Sequence, residues 1–419
     1  MKNCITKCLT FTLALFSLYS LISCDLLAYP VPKRAFMYDN SNPEKKLTLL
    51  VYMAADNDLE SYGIQNLKAM ERADFSSLNV LVLFDRAEHY DETNGNWTDT
   101  RLFEVTHDST NGGTIVSKRL DCPPLGLSAT TQTELDMANY NVLKSFIEFA
   151  KENYKSQYYS LIIWGHGTGW RYKSRAVAVD DKTNSYMCIK DLGLALKNQE
   201  LCVIGFDTCF GSIFENLYEL KDCTEYIAAS PGLTPAAGWN YKKLLQELNN
   251  CDFSPQTISA IMAKNTGTKT TVTETSQIPL MMQALENFSE QLANTITDNN
   301  TRIDAINTLM ESESYSYIQY PCDLYLDINS MAAQFCTDSN QELVQAAEQL
   351  KALEATKGIG IYFMPVIAQG VFASSHSINY IKDNLNTTQC SFIKDSNWWV
   401  PSKNTSSGSL LNKLFYTTF

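Results

Sequence analysis

Between Leu47 and Leu248 the chain alternates short apolar runs with amphipathic stretches. Runs over 48–54, 79–84, 159–164, 176–179, 201–206 and 225–229 have the length and apolar density of buried strands. The stretches over 58–73, 134–153, 189–198, 210–220 and 239–248 carry apolar residues at helical spacing. Strand and helix in strict alternation predict an α/β three-layer sandwich, with a mainly parallel central sheet covered by helices on both faces. The rhythm breaks over 94–133, where Asn-Gly, Gly-Gly and Pro-Pro signals predict a hairpin or long loop. Helical patterns dominate 254–355, and Gly358–Met364 reads as one further buried strand. The domain is therefore expected to span 47–365, with a helix-rich C-terminal part and an extension over 366–419.

The first residues have another character. Lys2 and Lys7 precede an uninterrupted run from Leu9 to Ile22 that falls short of the roughly 20 residues a membrane helix needs. This is the layout of an export signal over 1–23. Leu21-Ile22-Ser23-Cys24 at its end resembles the lipobox of bacterial lipoproteins, which makes Cys24 the expected site of lipidation and new N-terminus. The other reading is an ordinary cleaved leader with an incidental cysteine. Residues 24–46, rich in Pro, Asn and charge, are expected to tether the domain to the membrane. The expected location is the bacterial cell envelope, lipid-anchored and either periplasmic or at the surface.

Composition then narrows the function. The formal charge is −13, and loss of Lys2 and Lys7 with a leader lowers it by two more. Such a chain repels phosphate backbones, so nucleic acid is not an expected partner. The 12 cysteines include no CxxC pair and no metal-like grouping with the 4 histidines, so no metal site is predicted. Export permits disulfides, but the sequence fixes no pairing. It sets no oligomeric state either.

Two reactive side chains follow predicted parallel strands. His166 lies in Trp164-Gly-His-Gly167 after one strand, and Cys209 in Gly205-Phe-Asp-Thr-Cys209 after another. The carboxyl ends of parallel strands share one sheet edge, so the two are expected to meet there. A thiol is activated by a nearby imidazole and by a helix N-terminus, and Cys209 is placed to open the predicted helix over 210–220. The amides of Gly167 and Cys209 are candidates to cradle an oxyanion. Taken singly, His166 is equally a loop residue and Cys209 a buried thiol; their matched positions favour chemistry. Asp56-Asn57-Asp58 opens the first helix at the same edge, bordering the cleft or serving as an N-cap. His89, His107 and His376 read as surface or structural residues, and Trp398 and Trp399 as a core or lid contact.

These residues resemble the clostripain-like cysteine peptidases, relatives of the gingipains, legumains and caspases. The resemblance rests on Leu50–Glu60, Trp164–Gly167, Val179–Asp181, Gly205–Cys209 and Ala229–Tyr241, in that order, and covers roughly half the chain. It implies a caspase- or gingipain-like fold, a His166/Cys209 dyad, protein or peptide substrates, and no required cofactor. Calcium, needed by some relatives, is a possible addition without an EF-hand pattern to place it. In the family an aspartate two residues before the nucleophile selects arginine or lysine; here that is Asp207, with Ser230 also at the substrate site. Asp207 as a strand-end helix cap is the alternative. Pro231 and Gly232, where many relatives carry acidic residues, leave room for a shifted specificity. Relatives are often cut between the dyad residues, and Arg171, Lys173, Arg175 and Lys182 offer basic sites there, Arg175 and Lys182 being the candidates for self-cleavage. The rival reading is a surface lipoprotein that keeps the fold as a binding or adhesion module.

Overall fold

The structure, a computed structural model, describes residues 36, 38, 45–110, 112–169, 177–317, 320–363, 390–396, 398 and 410–415. The export signal, Cys24, most of the tether, Arg171, Lys173, Arg175, His376 and Trp399 lie outside them. Strand β1 (Lys45–Ala55), helix α1 (Glu60–Glu71) and β2 (Leu78–Arg86) are followed by β3 (Thr100–Glu104), β4 (Lys118–Leu120) and α2 (Tyr140–Asn153). Next come β5 (Ser156–Trp164), β6 (Ala178–Asp180), β7 (Ser185–Met187), α3 (Ile189–Leu196), β8 (Leu201–Asp207), α4 (Phe214–Leu220) and β9 (Thr224–Ala229). After them run α5 (Tyr241–Asn249), α6 (Pro255–Lys264), β10 (Thr271–Glu274), α7 (Ile278–Thr295) and α8 (Asn299–Met310). The C-terminal part adds β11 (Ser314–Tyr317), β12 (Tyr320–Asp327), α9 (Ile328–Ala333), α10 (Gln341–Ala352), β13 (Gly360–Phe363), α11 (Ser391–Asp395) and α12 (Leu410–Phe415).

The main sheet has eight strands in the order β10-β9-β8-β5-β1-β2-β3-β4. Its five central strands are parallel, and β10, β3 and β4 join antiparallel at the edges. The expected hairpin over 94–133 is thus the β3–β4 edge. Strand β1 shows why three layers form: Leu50, Tyr52 and Ala54 belong to one buried cluster, whereas Leu49, Val51 and Met53 belong to the other. A strand apolar on both faces must be covered twice. Helices α2, α3 and α4 cover the first face, with α7 to α10 joining the same cluster; α1, α5 and α6 cover the second.

Three expectations fail. The apolar run at 176–179 is not a strand of the main sheet: among the described residues β6 (Ala178–Asp180) pairs with β7 alone, in a separate two-stranded ribbon. A helix does not start after Cys209 either; α4 begins at Phe214. Phe210 takes a left-handed φ of 54°, which no helix tolerates, and the backbone instead pairs sideways through Phe210 N to Gly232 O and Ser212 N to Ser230 O. Strands β11, β12 and β13 form a second, antiparallel sheet that the helical reading of 254–355 missed. It bears on the Cys209 segment through a bridge between Ile213 and Gly360.

Candidate active site

Strands β8, β5 and β1 are consecutive in the sheet and parallel, so their carboxyl ends open on one edge. Trp164 pairs with Asp207 in the register, which puts His166 and Cys209 each two residues beyond a matched position. Gly165 N then donates to Asp207 O at 3.3 Å, carrying the pairing past the strand ends. At Gly167 the two segments touch: a Cβ there would lie 2.2 Å from Cys209 O and 2.8 Å from the Thr208 side chain. The missing side chain therefore makes room for the Cys209 backbone itself.

Each reactive group has a supporting partner. His166 Nε2 lies 2.6 Å from Asp58 Oδ1, on the turn that follows β1. The Asp58 side chain is 61% exposed, and the imidazole is only 16% exposed. Asn57 shapes that turn, accepting from Leu59 N at 3.0 Å and donating to Ala54 O at 3.0 Å and Val179 O at 3.2 Å. The N-cap reading of this motif does not hold: the helix is capped at Leu59 without a side-chain hydrogen bond, Asn57 closes the turn ahead of it, and Asp58 reaches the histidine. Cys209 is a half-buried free thiol whose Sγ accepts from Thr234 N at 3.3 Å. Neither the Gly167 nor the Cys209 amide is committed to a hydrogen bond among the described residues. From the second sheet, the Tyr325 hydroxyl donates to Thr168 O at 3.0 Å and its ring packs 5.3 Å from that of Phe210, bracing both reactive loops.

The eight described cysteines, Cys209 among them, are free. Burial pushes Cys122 to about 11, Cys188 and Cys202 to about 12, and Cys251, Cys336 and Cys390 upward. Thiols held protonated in this way are poor nucleophiles.

Asp207 ends β8 as a buried carboxylate. Its Oδ2 accepts from Trp239 N at 3.1 Å and from the Tyr241 hydroxyl at 2.8 Å. Burial raises its pKa to about 7, and those two hydrogen bonds offset only part of the rise. Gly238, at a φ of 69°, lets the chain pass close by: a Cβ there would come within 2.4 Å of Asn66 Oδ1 and 2.8 Å of Asp207 Oδ2. Asn66 in turn accepts from Trp164 Nε1 at 2.8 Å and donates to Ala237 O at 2.8 Å, locking the turn to the sheet. Ser230 is buried just beyond β9, and its hydroxyl accepts from Gly232 N at 3.3 Å.

The other sequence candidates lie away from this edge. His107 Nδ1 sits 3.1 Å from Ala73 O, and His89 is exposed beside Glu88. Trp398 is fully buried and its Nε1 donates to Tyr362 O at 3.0 Å, a core contact. Lys182, in the turn between β6 and β7, binds Glu134 at 2.8 Å. No described helix is long and apolar enough to cross a membrane.

Comparison with known proteins adds the following. The sequence profile of the Clostripain family matches residues 51–398. Clostripain of Hathewaya histolytica is 27% identical over 232 residues, 50% of this chain and 43% of that protein. The chain thus matches less than half the length of that relative. Among solved structures, an inactive zymogen C11 protease from Parabacteroides distasonis has a TM-score of 0.59 at 19% identity, over 84% of this chain and 99% of the other. A secreted C11 cysteine protease from Bacteroides thetaiotaomicron, in complex with an irreversible peptide inhibitor, has a TM-score of 0.55 at 18% identity, over 84% and 98%. These two likenesses establish a shared fold.

Proposed function

The chain belongs to the Clostripain family, and from that premise we propose that it is an exported cysteine endopeptidase whose nucleophile is Cys209 and whose proton carrier is His166. The observation that carries the reading is the contact of Gly167 with Thr208 and Cys209, which holds the histidine loop against the cysteine loop. His166 takes the thiol proton, and the thiolate attacks the carbonyl carbon of the scissile bond. The Gly167 and Cys209 amides receive the oxyanion of the tetrahedral intermediate. His166 returns its proton to the leaving amine, and water then hydrolyses the acyl-enzyme. Asp58 orients the imidazole, and the Thr234 amide donates to the cysteine sulfur.

Preference for arginine or lysine before the cleaved bond is the finer part of the proposal, with Asp207 as the recognising carboxylate and Ser230 beside it. A buried carboxylate that titrates near 7 regains its charge when a guanidinium or ammonium approaches. The hydrogen bonds from Trp239 and Tyr241 favour a second reading, in which Asp207 anchors the turn before α5 and the preferred residue is not basic. Fluorogenic peptides ending in Arg, Lys, Asn or Asp, offered with reductant to wild-type and Cys209→Ala protein, separate the cases. Thiol-dependent turnover of basic peptides supports the proposal. Turnover of only the others supports the second reading, and turnover of none supports a binding module.

The N-terminal pattern supports export and lipidation at Cys24. Intact mass of membrane-extracted protein tests it: a chain starting at Cys24 with added acyl mass is expected, and a Cys24→Ala form released to the soluble fraction. Self-processing between His166 and Cys209 completes the proposal, Arg175 and Lys182 being the candidate sites. Lys182 carries a partly exposed side chain in a surface turn. Wild-type protein is expected to split into two fragments while the Cys209→Ala form stays whole; identical single bands would exclude it.

A further inference from the structure

We propose that Asn216 is a positioning residue of the catalytic site, holding the turn after Cys209 in the left-handed form that aims the nucleophile. This role presupposes the peptidase reading. Phe210, the residue after Cys209, has a φ of 54°. A bulky side chain carries a steric cost there and persists only where its surroundings impose it. Here they do so one peptide unit at a time. Phe210 N donates to Gly232 O at 2.9 Å. A trans peptide points its carbonyl the opposite way, so Cys209 O faces the histidine loop, where it fills the space a Gly167 side chain would take. The next unit is gripped from within: Asn216 Nδ2 donates to Phe210 O at 3.2 Å and to Gly211 O at 3.4 Å. Phe210 is the joint between these two units, and the anchors on either side of it set its angle.

Other contacts fix the segment beyond the joint. A Cβ at Gly211 would lie 2.7 Å from the Phe206 Cβ and 3.0 Å from the Ala229 Cβ, so the chain passes flush against β8 and β9. Ser212 N donates to Ser230 O at 2.9 Å, and Ser212 O accepts from Gly360 N at 3.0 Å. Asn216 itself is buried as the third residue of α4. Its Oδ1 is also buried, with no donor among the described residues. A buried acceptor without a donor carries a desolvation cost, and an apolar side chain of the same size would avoid it. The benefit of asparagine here is therefore its two donated hydrogen bonds, and both go to the turn that bears the nucleophile.

Without those bonds the peptide between Phe210 and Gly211 is free to rotate, and Phe210 relaxes toward a right-handed φ. The Phe210 amide then leaves Gly232 O, or Cys209 O leaves the histidine loop. In either case the Cys209 main chain shifts, and it carries both the sulfur and the amide offered to the oxyanion. The Asp207 carboxylate is held separately, by Trp239 N and the Tyr241 hydroxyl. Loss of Asn216 therefore weakens the transition state and leaves ground-state binding in place.

The test compares full-length wild-type, Asn216→Leu and Asn216→Ala proteins on a basic fluorogenic peptide, with thermal melts alongside. Asn216→Leu keeps the volume and is expected to melt within about 5 °C of wild type, with kcat lowered about 100-fold and KM within about threefold. Asn216→Ala is expected to show the same split between kcat and KM. Alkylation of Cys209 by iodoacetamide needs a reactive thiolate and no oxyanion cradle, so it is expected to slow by less than about tenfold in both variants. A kcat within about threefold of wild type, a loss carried by KM, alkylation slowed as much as turnover, or loss of a cooperative melt in both variants would overturn the assignment. Wild-type protein that turns over no peptide would refute the peptidase reading itself, and this role with it.

Discussion

Replacing Gly167 with alanine probes the contact on which the site depends. No left-handed backbone is required of this glycine, so the effect is purely steric. The new methyl would sit 2.2 Å from Cys209 O, where an unstrained carbon–oxygen contact needs about 3.4 Å. The Thr208 side chain at 2.8 Å closes the lateral escape, so the two loops must part by about 1 Å. A displacement of that size between reacting groups costs on the order of 100-fold in rate. Overpacking of this kind costs about 1–3 kcal/mol in stability, a fall of about 2–12 °C in melting temperature. Steady-state kcat/KM on a basic fluorogenic peptide, measured well below the melting transition, is expected to drop by about 100-fold, mainly in kcat. An alanine form with kcat/KM within threefold of wild type and an unshifted melt would show that the loops do not meet as described.

Asp58→Ala is expected to lower kcat about tenfold with little change in KM, because it removes an orienting partner and no substrate contact; a change confined to KM would contradict that role. Asp207→Asn keeps acceptors for Trp239 N and the Tyr241 hydroxyl, so the fold is expected to survive while kcat/KM for arginine peptides falls about 100-fold or more. In wild type, KM for a basic peptide is expected to fall as pH rises through about 7, where Asp207 ionises, and the Asn form to lose that trend. The same raised pKa means the native state holds this proton while the unfolded chain releases it. Its stabilising contribution is complete below about pH 4 and lost as pH approaches 7, a slope that Asp207→Asn removes in melts against pH. Arg86→Met leaves Glu60 buried and without its guanidinium, and is expected to destabilise the protein by about 3–5 kcal/mol in urea titrations.

The backbone of this account was legible in the sequence because β1, β5 and β8 are apolar on both faces, which forces a covered parallel sheet and sends His166 and Cys209 to one edge. What failed was local. The apolar pattern after Cys209 fits a helix, yet tertiary pairing with Ser230 and Gly232 claims those backbone groups and delays the helix to Phe214. The run before Asp180 is apolar because the ribbon packs on the core, not because it joins the sheet. Asp58 read equally well as a capping residue, since nothing in a turn sequence tells which of two acidic side chains faces a histidine two strands' ends away.

The central claim is that one sulfur, activated by one imidazole, performs the chemistry. Reacting the full-length protein with a peptidyl electrophile ending in lysine, and locating the adduct by mass spectrometry, addresses it directly. One label per chain at Cys209 is expected, formed at least about 100-fold more slowly in the His166→Ala protein. Labelling at another cysteine, or at Cys209 with equal speed in both proteins, would contradict it.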